Sequence, residues 1–247
     1  MQKYDIVNAL VAKNKYTKYL EICTLTTGRR FSRIDQKPLH WRHRLLYCCP
    51  ESFQDGDEIT FRTKDQSIEH LLDAQSPYDL IFLDSFHTFE CSLRDLQLAL
   101  TLLRPAGTIV VHDCCPPSRE VCTPAFRTGS WFGLSYCAYI EFVLSDPRLV
   151  YYTVDTDCGC GVIKRLLPGH TSGTGKNAEK NAGSRNELAR LWSAERNQHH
   201  DMFDFFHQYQ RELLNLISVK DFLALERIVL PRTTRWRQNL VALLETQ

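Results

Sequence analysis

Runs of consecutive apolar residues, separated by short polar stretches, mark the first two thirds of the chain. Residues 78–84 (YDLIFLD) and 108–113 (TIVVHD) are apolar for most of their length and end in polar side chains. Strands that read this way are buried on both faces, as in parallel sheets. Between them, Leu93, Leu96, Leu100 and Leu103 recur at spacings of three and four, which predicts one apolar helix face over 92–103. Arg104-Pro105-Ala106-Gly107 stops that helix. Strand, helix and strand in this pattern predict a right-handed parallel βαβ unit.

The same reading extends outward. Residues 5–18 predict a short helix, and 19–23 (YLEIC) a strand. A small-residue turn over 24–28 and a helix to Ile34 follow. Residues 45–49 form a second apolar run, ended by Pro50, and 59–62 a third, followed by a helix-like 68–72. Residues 131–144 suit a helix, and 150–155 with 161–165 suit a terminal hairpin around a Gly-containing turn. Residues 168–185 are rich in Gly, Ser, Thr, Asn and Lys and read as a flexible linker or loop. From 186 the pattern is helical, with Met202, Phe203, Phe205, Phe206, Tyr209, Leu213, Leu216 and Ile217 mostly three or four apart. Ser218-x-x-Asp221 opens another helix as a capping-box variant. The expectation is an α/β domain over 1–167, the linker at 168–185 and a C-terminal helical extension over 186–247.

Composition narrows the class of protein. Hydrophobic residues are 43% and charged residues 24% of 247, an ordinary globular mix. The net charge of +1 offers no field toward nucleic acid or an anionic membrane, so neither is expected as a partner. The most apolar stretch, 131–144, is shorter than the roughly 18 residues a membrane span needs. The first twenty residues lack the apolar core of a signal peptide, and a cytoplasmic protein is expected. Ten cysteines include the adjacent pairs Cys48-Cys49 and Cys114-Cys115, a poor disulfide framework, so reduced structural thiols are expected.

Open α/β sheets bind ligands beyond the carboxyl ends of their strands. Here those ends carry Glu21 to Gly28, Cys49, Asp65-Gln66, Asp84 to His87, and His112-Asp113. These segments resemble the class I S-adenosylmethionine (SAM)-dependent methyltransferases. Tyr19-Leu20-Glu21-Ile22-Cys23-Thr24 through Gly28 and Phe31 is similar to a YLEIG-x-x-x-G-x-x-F motif. Residues 78–89 resemble an FD-x-IF-ID-G-x-H-x-Y segment, and 103–113 an L-x-PGG-x-I-x-x-HD segment. Residues 155–163 resemble the closing hairpin, so the likeness spans about 17–165.

The resemblance implies a Rossmann-like methyltransferase fold, with a mainly parallel sheet and a terminal antiparallel hairpin. It implies a SAM site at Glu21, Cys23, Thr24, Gly28, Cys49, Asp65, Gln66 and Asp84. The chain departs from the motif at Cys23, where glycine is usual, and at Cys49, where the ribose-binding acid is usual. The implied reaction is O-methyl transfer to a small-molecule or glycan-like hydroxyl. His87 is then the general base with Asp113 beside it, or Asp84, His112 and Asp113 hold a divalent metal that acidifies the acceptor. The alternatives are a non-catalytic binding protein with a degenerate cofactor site, and a metal-dependent oxygenase-like enzyme on the same scaffold. The aromatic face of the tail predicts core packing first, and homo-oligomerisation through the C-terminal helices second.

Overall fold

The computed structural model describes residues 1–23, 33–34, 39, 41–46, 60–61, 77–166, 176–199 and 201–228. The elements in chain order are α1 (Lys3–Asn14), β1 (Lys18–Cys23), β2 (Trp41–Leu46), β3 (Thr60–Phe61), β4 (Tyr78–Asp84), α2 (Phe89–Leu102) and β5 (Leu103–Val111). They continue as α3 (Ser135–Ser145), β6 (Leu149–Val154), β7 (Cys160–Arg165), α4 (Lys176–Gln198), α5 (Phe203–Leu214), β8 (Leu216–Ile217) and α6 (Val219–Leu225). The strands form one sheet in the order β3-β2-β1-β4-β5-β7-β6-β8. Among the described strands only β7 runs against its neighbours, pairing antiparallel with β5 and β6. This is the Rossmann-like order with the terminal antiparallel hairpin that the sequence predicts.

Alternation along the strands builds a core on each face of the sheet. Leu20, Ile22, Ile81, Leu83, Ile109, Val111 and Ile163 point to one side, where α2, α3, α4 and α5 pack. Tyr19, Leu80, Phe82, Val110, Tyr152, Val154 and Val162 point to the other, where α1 and Phe222 of α6 pack. Both faces are therefore covered, which explains the continuous apolar runs.

Four boundaries differ from the sequence expectation. β2 already begins at Trp41, ahead of the expected 45–49, because it pairs with β1 from Lys18↔Trp41 to Cys23↔Leu46; residues 47–49 lie outside the described residues. The buried side of α2 is Ser92, Asp95, Leu96, Ala99 and Leu102, with Leu93 and Leu100 at its flanks. Leu103 already belongs to β5, so it does not share that face. α3 begins at Ser135, since residues 131–134 form a loop that returns to His87. α4 begins at Lys176, within the segment expected as a linker; residues 168–175 lie outside the described residues.

The C-terminal elements belong to the same body. β8 pairs in parallel with β6 through Thr153↔Leu216 and Val154↔Ile217. Trp192, Met202, Phe206, Leu213 and Leu214 are buried, and the Phe206 ring lies 4.7 Å from that of Tyr136. The aromatic stripe of the tail is thus a core face. Ser218 caps α6 as its spacing predicts: its hydroxyl accepts from the Asp221 N–H at 3.1 Å and donates to the Asp221 carboxylate at 2.7 Å.

Candidate active site

Strand parity decides which side chains meet at the carboxyl end of the sheet. In β4, Leu80 and Phe82 face α1, and Asp84 is the next residue on that side. In β5 the same side carries Val110, followed by His112, whose N–H continues the ladder to the Leu83 carbonyl at 2.9 Å. In β1 it carries Tyr19, Glu21 and Cys23, and Cys23 is the register partner of Asp84. The sequence-predicted Glu21, Cys23, Asp84, His112 and Asp113 are therefore brought together. Thr24, Gly28, Cys49, Asp65 and Gln66 lie outside the described residues.

α1 adds a residue that sequence reasoning missed. Lys3 is buried, and its Nζ lies 2.8 Å from Asp84 Oδ2 and 3.1 Å from His112 Nδ1. The Tyr4 and Phe82 ring centroids each lie 5.9 Å from that ammonium, within cation–π range. A signal for this existed. Lys3 occupies the first position of the stripe Lys3, Ile6, Val7, Leu10, Val11, all buried against the sheet. A cation on an apolar helical stripe needs a buried acid, and Asp84 provides it.

Asp157 was also missed. Its Oδ2 accepts from the Lys3 backbone N–H at 2.9 Å and lies 3.6 Å from His112 Nε2. It sits in the β6–β7 turn, where Asp157, Cys158 and Gly159 all adopt positive φ (48°, 61° and 82°). Gly159 is required there, because a Cβ would fall 2.5 Å from Cys115 Cβ and 2.6 Å from Cys115 N. The Cys114 and Cys115 N–H groups donate to the Gly159 and Cys158 carbonyls, which anchors this turn beside His112-Asp113.

The electrostatics follow from this crowding. Burial favours neutral Asp84, but hydrogen bonds to His112 and His87 and the Lys3 charge outweigh it, holding the carboxyl well below its ordinary range. Burial likewise favours neutral His112. Hydrogen bonds to Asp113, Asp157 and Asp84 outweigh that and raise its pKa well above 6.5. In the neutral ring, Nδ1 accepts from Lys3; in the imidazolium it donates to Asp113 Oδ1 at 3.0 Å, and the three carboxylates favour the second state. The His112 hydrogen bond draws the Asp157 carboxyl down to about 2 against the opposing effect of burial.

His87 sits on the opposite side of Asp84. Its Nδ1 lies 2.7 Å from the Trp131 carbonyl, which can only accept, so Nδ1 carries the hydrogen. Nε2 then faces Asp113 Oδ2 at 3.3 Å and Asp84 Oδ1 at 3.7 Å. Burial lowers the His87 pKa, but the Asp84 hydrogen bond, the Asp113 charge and the Trp131 carbonyl together raise it above 6.5. The loop that delivers Trp131 depends on Gly133 at φ +52°, where a Cβ would come within 2.0 Å of the His87 carbonyl oxygen. That carbonyl accepts from Leu134 N–H at 2.7 Å. Asp113 itself has φ 59°, which turns it out of the line of β5 toward His87.

The expected metal set Asp84, His112 and Asp113 comes together, with His112 Nδ1 3.6 Å from Asp84 Oδ1 and 3.0 Å from Asp113 Oδ1. Asp84, His87 and Asp113 also offer ligand atoms within 4.8 Å of one another, and the second ring nitrogen of His112 lies 3.6 Å from Asp157. The spacing of that trio admits a divalent ion, but the charge around it does not fit one. With His87 neutral, the carboxylates of Asp84, Asp113 and Asp157 (−3) are faced by Lys3 and protonated His112 (+2), which leaves −1, short of what would offset a dication. Lys3 already occupies Asp84 Oδ2 at 2.8 Å and His112 faces Asp113 Oδ1 at 3.0 Å, so a dication there would compete with a cation on each of its carboxylate ligands.

Glu21 and Cys23 form the edge of the site toward β1. Glu21 is buried; the Tyr19 hydroxyl donates to one of its carboxylate oxygens at 3.0 Å and the Cys23 thiol to the other at 3.3 Å. Cys23 thus turns its sulfur toward protein. The eight cysteines among the described residues are all unbridged, and burial pushes the Cys114, Cys137 and Cys160 thiols up, which makes them inert. Among the described residues no helix is long and apolar enough to cross a membrane.

No curated protein matches the sequence. Among solved structures, an O-methyltransferase from Bacillus cereus in complex with SAH is 15% identical, with 65% of this chain and 78% of that chain covered and a TM-score of 0.45. TomG, an O-methyltransferase from Streptomyces achromogenes in complex with SAM, is 13% identical over 66% and 79%, at 0.45. An SAH-bound methyltransferase from Podospora anserina is 18% identical over 65% and 77%, at 0.48. These likenesses are too distant to bear on this chain's chemistry, and the strand order stands on the pairing itself. Residues 9–114, which span β1 to β5 and carry Asp84, His87, His112 and Asp113, match the family model of a methyltransferase domain.

Proposed function

We propose that the protein is a cytoplasmic SAM-dependent O-methyltransferase acting on a small-molecule or glycan-like hydroxyl, with His87 as general base. The observation that carries this reading is the orientation of His87. Its Nδ1–H is pinned by the Trp131 carbonyl, so Nε2 presents its lone pair beside Asp84 and Asp113. SAM, when bound, supplies an electrophilic methyl carbon on a sulfonium. His87 Nε2 takes the hydroxyl proton of the acceptor as its oxygen attacks. The two carboxylates hold the resulting imidazolium, and their charge favours a cationic sulfonium nearby. Glu21, Cys23 and Asp84 line the adjoining strand ends, with Thr24, Gly28, Cys49, Asp65 and Gln66 completing the cofactor-binding set in this proposal.

The test separates binding from chemistry. Transfer of a radiolabelled methyl group from SAM is measured across a panel of small hydroxyl acceptors, with SAM affinity measured alongside. His87→Ala is expected to lower kcat by about 10²- to 10⁴-fold, while SAM affinity stays within a few fold. A variant that turns over as fast as the wild type would show that another group takes the proton.

A further inference from the structure

We propose that Lys3 is the built-in cation of this site: its ammonium holds Asp84 where a divalent ion would otherwise bridge the acids, and the site works without metal. Two independent contacts place Lys3 there: its Nζ donates to Asp84 at 2.8 Å, and its backbone N–H donates to Asp157 at 2.9 Å. The Thr156 hydroxyl donates to the Met1 carbonyl at 2.5 Å, which ties the start of α1 to the β6–β7 turn. The ammonium is therefore delivered by a helix docked at both the acid cluster and the neighbouring turn. Beside it, Asp84, His87 and Asp113 present atoms close enough together to ligate an ion. Lys3 is a positioning residue: it fixes the carboxylate that faces His87 Nε2 and neutralises the acid pair without ligand exchange.

The activity arm of the test rests on the methyltransferase reading, and the metal-binding arm does not. Binding of Mn²⁺ to the full chain is followed by electron paramagnetic resonance for the wild type, Lys3→Met and Lys3→Arg. The wild type and Lys3→Arg are expected to take up no stoichiometric Mn²⁺ below millimolar concentration. Lys3→Met is expected to bind one Mn²⁺ at least tenfold more tightly than the wild type, a gain that loss of a merely structural tie does not produce. Methyl transfer by the wild type is expected to change less than twofold in excess EDTA. Stoichiometric micromolar Mn²⁺ binding by the wild type, EDTA-sensitive turnover, or a folded Lys3→Met with no gain would each overturn the proposal. If Lys3→Met fails to fold by circular dichroism, the wild-type and Lys3→Arg titrations still decide it. If SAM does not bind, the methyl-transfer reading falls while the Mn²⁺ arm still reads Lys3.

Discussion

Neutralising Asp84 by Asp84→Asn tests the electrostatic core of the site. The carboxylate is 7% exposed and faces Lys3 at 2.8 Å, His112 at 3.6 Å and His87 at 3.7 Å. The amide keeps the shape and removes the charge, so the Lys3 ammonium loses its closest counter-ion in a buried setting. Breaking a buried pair from one side costs about 3–5 kcal/mol. With a urea m-value of about 3 kcal/mol/M for a chain of this size, the midpoint should fall by roughly 1–2 M. The assay is urea unfolding followed by far-UV circular dichroism at pH 7, repeated for Lys3→Met and for the double variant. Both single changes should be costly and the double change less costly than their sum, by about 2 kcal/mol. A loss below about 1 kcal/mol for Asp84→Asn, or additivity within about 0.5 kcal/mol, would refute the claim that these two groups are locked together.

Two further outcomes follow from the same coordinates. His112 and His87 have folded pKa values raised above 6.5, so their contribution to stability is complete below about pH 6.5 and is lost as pH rises through the raised values. Asp84 and Asp157 are lowered, and theirs is complete above about pH 4 and is lost as pH falls toward the lowered values. The thermal midpoint should therefore be higher at pH 5.5 than at pH 9, with His112→Asn flattening the alkaline limb; a midpoint that rises to pH 9 contradicts the assignment. Gly133→Ala should lower the thermal midpoint by about 5 °C or more, because it combines a left-handed backbone with a Cβ 2.0 Å from the His87 carbonyl oxygen. An unchanged midpoint would mean the Trp131 loop does not approach His87 as described.

Much of the fold was readable because strands buried on both faces cannot hide their pattern. Residues 78–84 and 108–113 announced β4 and β5 by apolar continuity, and their polar ends marked Asp84, His112 and Asp113. The start of β2 was misplaced because Trp41–Leu46 is positioned by pairing with β1, a tertiary fact that a polar WRHR start conceals. The buried side of α2 was offset because Asp95 lies inside, and a carboxylate on a helix is ordinarily assigned to solvent. Lys3 and Asp157 escaped for a different reason: each meets the site across more than 40 residues of intervening sequence, which no local period reports. The approach of His87 to Asp84 and Asp113 depends on the φ of Asp113 and on Gly133, neither of which is written in residue type alone.

The most direct measurement of the central claim is isothermal titration of the purified full chain with SAM, in EDTA-containing buffer. Saturable one-to-one binding that weakens at least tenfold in Asp84→Asn is predicted. Absence of binding at millimolar SAM, with and without added divalent ion, would contradict the assignment of these strand ends to a methyltransferase site.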